Sequence, residues 1–446
     1  MKKLTSLLVA TLAVSLLSPS TSTAAAPKAG AACTKVGSTS IAAGKTFTCV
    51  KSGKKMVWDK GTAVAKPTST TSAQTKEPVS AATPTPSPTP SADPYAKLTI
   101  PITLPVAQTG AITFANAAAN YAQIPQTAWQ RVQDVIAANP DNNFKTTIHI
   151  GPNTKASLNA INTALDRINK LFAGFRHVGE YWGIVYNAQD VKWAQGDAYD
   201  FFKSANYKGF ITNKDAIKQQ SEAGCEINGS TIVQCGGGMA VDLKDGGTDA
   251  GGAFYGVQSD GDYWSDGTKN VGPMTQVNHE AMHNYQNAQF FYTPLGKGQF
   301  ISSQLMHAAT PWWFSEGQAN GIGISTFMEN FNDYSRVRND TVTRSPGSRA
   351  TKPAFTEEGL KAFLNGTEIA SPENNNWMLA YSIGYATVET LIAIGGPQST
   401  LAIYTLAAKG EDWPTAFKHV YGISWDEAST ILAKVLAAEY AAMPMK

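Results

Sequence analysis

Between Thr62 and Pro94 the chain sets Pro67, Pro78, Pro84, Pro86, Pro88 and Pro90 among Ser, Thr and Ala. Such a stretch has nothing to bury, and its alternating prolines favour extended polyproline II, so it reads as a semi-stiff linker open to O-glycosylation. It divides the 446 residues into a short N-terminal part and a body, Tyr95 to Lys446, long enough for a large core. A composition of 43% apolar and 16% charged residues, with 10 Trp, excludes wholesale disorder. The formal net charge is only +2. That leaves no nucleic-acid footprint across the chain, and no nucleic-acid partner is expected.

Residues 1–26 form a signal-peptide pattern: Lys2 and Lys3, the apolar run Leu4 to Leu17, then small residues through Ala26. Cleavage is expected after Ala24 or Ala26. The run is shorter than the ~20 residues that span a bilayer, and no later segment reaches that length uninterrupted. The mature chain is therefore expected to be secreted or cell-wall associated, extracellular, with no transmembrane segment. In that setting Cys33 with Cys49, and Cys225 with Cys235, read as local disulfides. Neither pair has the close spacing or the nearby histidine of a zinc ribbon. Residues 27–61 form a small basic module, too small for a core without a staple. It resembles short Cys-containing modules near the N-termini of secreted actinobacterial proteins. Its Lys28, Lys35, Lys45, Lys51, Lys54, Lys55 and Lys60 stand against Asp59 alone. The patch suits an anionic cell-wall polymer, or is simply a solvated surface.

In the body, Leu158, Ile161, Leu165, Ile168, Leu171 and Phe172 recur at helical spacing, and Trp129, Val132, Val135 and Ile136 suggest a second helix. Strand-like runs follow at Thr147–Ile150, Trp182–Tyr186, Met239–Leu243 and Ala253–Val257. Beyond about residue 300 the pattern is helical: Met378–Ile394, Thr400–Ala408, and a last helix opened by the capping box Ser424/Glu427. The predicted class is α+β, with a mixed α/β lobe over about 95–295 and an α-helical lobe over 296–446.

The chemistry concentrates in His279-Glu280-Ala281-Met282-His283, an HExxH pentad. On a helix, residues four apart share a face, so two imidazoles can converge on one metal while Glu280 addresses a water there. With 6 His in the chain, chance would produce the pentad about 0.003 times. A catalytic zinc needs a third protein ligand. The pattern HExxHxxGxxH fails, because its Gly and third His would fall at Gln286 and Gln289. His307 is one rival third ligand. The other is Glu316, the next acidic residue, in Pro311-Trp312-Trp313-Phe314-Ser315-Glu316-Gly317-Gln318-Ala319.

That segment resembles the W-x-x-E-G-x-A segment of gluzincin metallopeptidases of the peptidase-MA-like kind. The resemblance implies a zincin-like two-lobe fold, one catalytic Zn²⁺ held by His279, His283 and Glu316, and Glu280 as general base. Asn320 stands where related enzymes often carry an acidic residue that orients a ligand histidine. Gln318 likewise departs from the family pattern, which bears on the substrate pocket. Tyr381 to Ile392, followed by Gly395-Gly396, looks like the tyrosine-bearing helix of these families. Tyr381 or Tyr385 would donate to the developing oxyanion, or both are core aromatics. His419, among Phe417, Val420 and Tyr421, reads as a packed histidine.

Asp242, Asp245, Asp249, Asp260, Asp262 and Asp266 make calcium conceivable, but their spacing misses the EF-hand loop and turns pinned by Cys225–Cys235 are the simpler reading. Ala253–Val257 is a candidate edge for an extended peptide. The expected function is an exported zinc endopeptidase acting on a peptide or protein substrate. The alternatives are an inactive wall-associated binding protein on a peptidase fold, or a hydrolase of cell-wall peptide cross-links.

Overall fold

The computed structural model describes residues 28–33, 39–42, 45–53, 55–63, 95–96, 98–140, 145–205, 213–244, 249–257, 272–291, 293, 309–348, 355–366 and 379–443. The expected leader, most of the linker, His307 and the calcium candidates Asp245, Asp260, Asp262 and Asp266 lie outside them. The chain divides into two units, Met1–Thr89 and Pro90–Lys446.

In the first unit, β2 (Lys45–Ser52) is paired by β1 (Thr39–Ala42), β3 (Lys55–Trp58) and β4 (Thr62–Ala63). The Cys33–Cys49 disulfide fixes the N-terminal segment onto this sheet, and Cys49 is buried. Thr62 and Ala63, read above as linker, instead extend the sheet by pairing with Thr46 and Lys45. Gly61, at φ +69°, sits in the irregular step between β3 and β4, which both run antiparallel to β2.

The second unit is built on a sheet in the order β5 (Lys145–Ile150), β6 (Glu180–Tyr186), β10 (Asp249–Gly256), β9 (Gly238–Lys244). The first three strands are parallel and β9 is antiparallel at the edge. Side-chain alternation divides the sheet's residues between two apolar layers. Tyr181, Val185, Ala253 and Tyr255 join one buried cluster, and Trp182, Ile184, Tyr186 and Phe254 the other. The smaller cluster is closed by α3 (Val191–Ser204) and α4 (Lys214–Glu222), which periodicity did not single out. The hairpin β7 (Cys225–Asn228) and β8 (Thr231–Cys235) follows, its disulfide joining residues paired across the two strands. Asp242 and Asp249 fall on the paired strands β9 and β10.

The larger cluster runs from Leu98 to Tyr440 without a break at residue 295. It takes in α1 (Ile124–Ala138), α2 (Leu158–Leu171) and α5 (Gly272–Phe290). It also takes in the later helices α6 (Trp312–Phe327), α7 (Phe331–Ser348), α8 (Glu357–Asn365), α9 (Tyr385–Gly395), α10 (Pro397–Ala408), α11 (Trp413–Tyr421) and α12 (Trp425–Ala442). The α+β class holds, but one core serves the segments expected as two lobes. A π-helical turn, Ala380–Gly384, leads into α9. Ser424 caps α12 through the Glu427 N–H and also donates to the Glu427 carboxylate. No single helix among the described residues is long and apolar enough to cross a membrane.

One buried charge cluster ties three of the late helices together. Arg338 on α7 is bonded to Glu389 on α9 by Nε at 3.0 Å and Nη2 at 2.5 Å, and also reaches Glu439 on α12. Burial pushes the Glu439 carboxyl up against the opposing pull of Arg338. Removing the cation strands two carboxylates in the core, so Arg338→Ala should cost about 3–5 kcal/mol in a urea titration. A loss under ~1 kcal/mol would mean the cluster holds nothing together.

Candidate metal centre

Helix α5 presents His279 and His283 on one face, and α6 presents Glu316 opposite them. The helices can approach closely because Gly323 has no side chain: a Cβ there would lie 2.8 Å from the Thr275 carbonyl oxygen. His279 Nε2 and His283 Nε2 are 3.2 Å apart, and each is 3.5 Å from Glu316 Oε2. A metal held tetrahedrally at about 2.0–2.1 Å separates its donors by about 3.3–3.4 Å, so the three atoms already have the spacing of one face of such a site. They form a group that could hold a metal ion.

Two side-chain amides fix which imidazole nitrogen faces the centre. Gln286 Nε2 donates to the Ser315 carbonyl and to Gln318 Oε1, so its Oε1 must face His283 Nδ1, 2.8 Å away. Asn320 Nδ2 donates to the Tyr381 carbonyl, which turns its Oδ1 to His279 Nδ1 at 3.0 Å. Each neutral imidazole then carries its proton on Nδ1 and keeps the Nε2 lone pair for the centre. Two lone pairs and a carboxylate oxygen converge in a buried space, and Glu316 Oε2 has no hydrogen bond there. That arrangement is repulsive unless a cation is shared. Without a metal a proton serves: burial lowers His283, but the facing Glu316 carboxylate outweighs it and pushes the imidazole up to about 9. Burial likewise opposes ionisation of Glu316, yet His283 and His279 hold its carboxyl well below the usual range.

Glu280 lies against the edge strand β9. A Cβ on Gly238 would sit 2.3 Å from Glu280 Oε1, so glycine is what allows this approach. Burial pushes the Glu280 carboxyl up; the two imidazoles and the Ala240 N–H act in the opposite direction. Tyr381 stacks on His279, ring centroids 5.9 Å apart. Burial and the Glu316 and Glu280 carboxylates push its hydroxyl well above the usual tyrosine range. Tyr381 reaches the site because Gly384 and Gly317 meet without side chains: a Cβ on Gly317 would be 2.2 Å from the Gly384 carbonyl carbon.

Tyr385 is not brought to the centre. Its ring lies against Gly321, fully buried beside Glu389 and Arg338, so it is a core aromatic. His419 faces Glu411 at 3.1 Å and its side chain is 51% exposed, so it is not a packed histidine. The candidate edge Ala253–Val257 is also displaced: Ala253 to Gly256 lie on β10, between β6 and β9, and the edge beside Glu280 is β9. Gln318 lines no substrate pocket; it is buried and bonds Gln286 and Thr400 Oγ1. Sequence reasoning missed the orienting role of Gln286, although its place three residues after His283 puts it on the same face. It had no signal for Thr400, Ala240 or Gly238. No protein-family model, curated protein or solved structure matches the chain.

If the amides set the imidazoles, Gln286→Ala and Asn320→Ala should each weaken metal binding about 10–100-fold in competition with a chromophoric chelator. Because the metal must displace a proton from His283, wild-type affinity should also rise with pH and level off near about 9. Unchanged affinity in both variants would show that the amides do not orient the ligands.

Proposed function

We propose that the chain is an exported zinc-dependent endopeptidase. The observation that supports this is the convergence of His279 Nε2, His283 Nε2 and Glu316 Oε2 beside Glu280. Two imidazoles and one carboxylate are a donor set for zinc with a fourth position open. When bound, zinc would polarise a substrate carbonyl and make hydroxide available near neutral pH. The gluzincin resemblance at Trp313, Glu316, Gly317 and Ala319 points the same way.

The chain's own groups then divide the work. Glu280 takes a proton from the attacking water and passes it to the leaving amine nitrogen. Its raised pKa suits a group that must both accept and return a proton. Tyr381 keeps its proton throughout the neutral range and donates toward the carbonyl oxygen as negative charge develops. β9, the edge of the sheet among the described residues, would receive an extended peptide by backbone pairing, with Gly238 leaving room beside Glu280 and the Ala240 N–H already turned to the Glu280 carboxylate.

Two disulfides fit an oxidising compartment and so support export by the leader at 1–26. In the N-terminal unit Lys28, Lys51, Lys55 and Lys60 are exposed, while the Asp59 carboxylate accepts from the Thr48 and Gly61 N–H groups. This supports an anionic wall polymer as the unit's partner. The alternative is an inactive binding protein on the same fold; against its motive, Asn320 bonds His279 and Gln318 supports Gln286, which bonds His283. Hydrolysis of wall peptide cross-links would use the same residues on another amide.

Glu280→Gln should retain one equivalent of zinc and lose about 10²–10⁴-fold in turnover of a responsive peptide from a library digest. A variant cleaving as fast as wild type would remove Glu280 from the mechanism.

A further inference from the structure

Adjacent tryptophans open α6 and part company. Trp313 points into the core, its Nε1 donating to the Leu364 carbonyl and its ring packed with Trp413 and Trp425. Trp312, partly exposed, turns to the metal centre instead. Its Nε1–H donates to Glu316 Oε1 at 2.9 Å, and its ring meets the edge of Tyr381 at 6.4 Å. The two oxygens of Glu316 are thereby distinguished: Oε1 is held by the indole, and Oε2 is the atom equidistant from both imidazoles. The W-x-x-E-G match uses Trp313, so the motif does not account for Trp312.

We propose that Trp312 is a positioning residue that holds Glu316 as a one-oxygen ligand and so keeps a coordination position open for water and substrate. Without the indole, Oε1 loses the donor that holds it back from the centre, and the carboxylate can turn to offer both oxygens, filling that position. The inference rests on the metal reading of the site and does not depend on which amide bond is cut. Pro311, in extended conformation, starts the helix and brings the indole one turn before Glu316. The contact is thus built into the first turn of α6.

The test loads metal-free protein with Co²⁺ alone and reads its visible absorption, which weakens as coordination rises from four to five. Wild type should give a strong four-coordinate spectrum. Trp312→Phe keeps a ring at the site without the donor, and should bind one equivalent with band intensity lower by about half or more. Its zinc affinity should change by about tenfold. Trp312→Leu, which also has no donor, serves as the second variant where Trp312→Phe folds poorly and should show the same weakened bands. Spectra superimposable on wild type in a folded variant would overturn the positioning role while leaving the metal site intact. Wild type that binds no Co²⁺ would overturn both. A changed spectrum in a chain that cleaves no peptide would support the inference and count against the peptidase reading alone.

Discussion

Two imidazole lone pairs and a carboxylate oxygen held 3.2–3.5 Å apart, away from water, are the constraint around which the core of the second unit is arranged. Left alone they repel, and the fold holds them there with hydrogen bonds that do not satisfy the converging atoms. Gln286 spends its N–H groups on the Ser315 carbonyl and Gln318 Oε1, and Asn320 donates to the Tyr381 carbonyl, so both turn oxygen to the histidines. The chain Thr400, Gln318, Gln286, His283 carries this constraint from α10 to the ligand. A proton on His283 relieves this repulsion, and the same three atoms could instead share a metal ion.

Backbone proximity makes the convergence achievable. At Gly323 helix α6 meets α5, at Gly317 and Gly384 the π-helical turn meets α6, and at Gly238 the edge strand meets Glu280. Any Cβ at these crossings would fall within 2.8 Å of another atom, so a larger residue would move a ligand helix rather than merely crowd a side chain. The sheet fixes the other side. With β10 interior and β9 antiparallel at the edge among the described residues, β9 is the strand that lies beside Glu280.

Periodicity and one motif made much of this legible. The pentad placed His279, Glu280 and His283 together because helical spacing is local, and the long apolar repeat from Leu158 gave α2 for the same reason. The pairing of Cys225 with Cys235 was readable from their proximity in the chain. What escaped depends on contacts distant in sequence. Tyr381 and Tyr385 are equivalent by spacing, and only packing against His279 or against Arg338 separates them. Ala253–Val257 has the composition of a strand but not its place in the sheet, so the edge was misassigned. That one core joins residues on both sides of 295 was likewise not legible, since α1 and α2 pack with helices far downstream in the chain.

The central claim is that the lone pairs meet on a metal. The most direct measurement is an anomalous difference map from crystals of zinc-loaded protein, recorded on both sides of the zinc absorption edge. One peak is expected about 2.0–2.2 Å from His279 Nε2, His283 Nε2 and Glu316 Oε2. A loaded crystal with no peak at these atoms, or with its zinc held elsewhere, would contradict it.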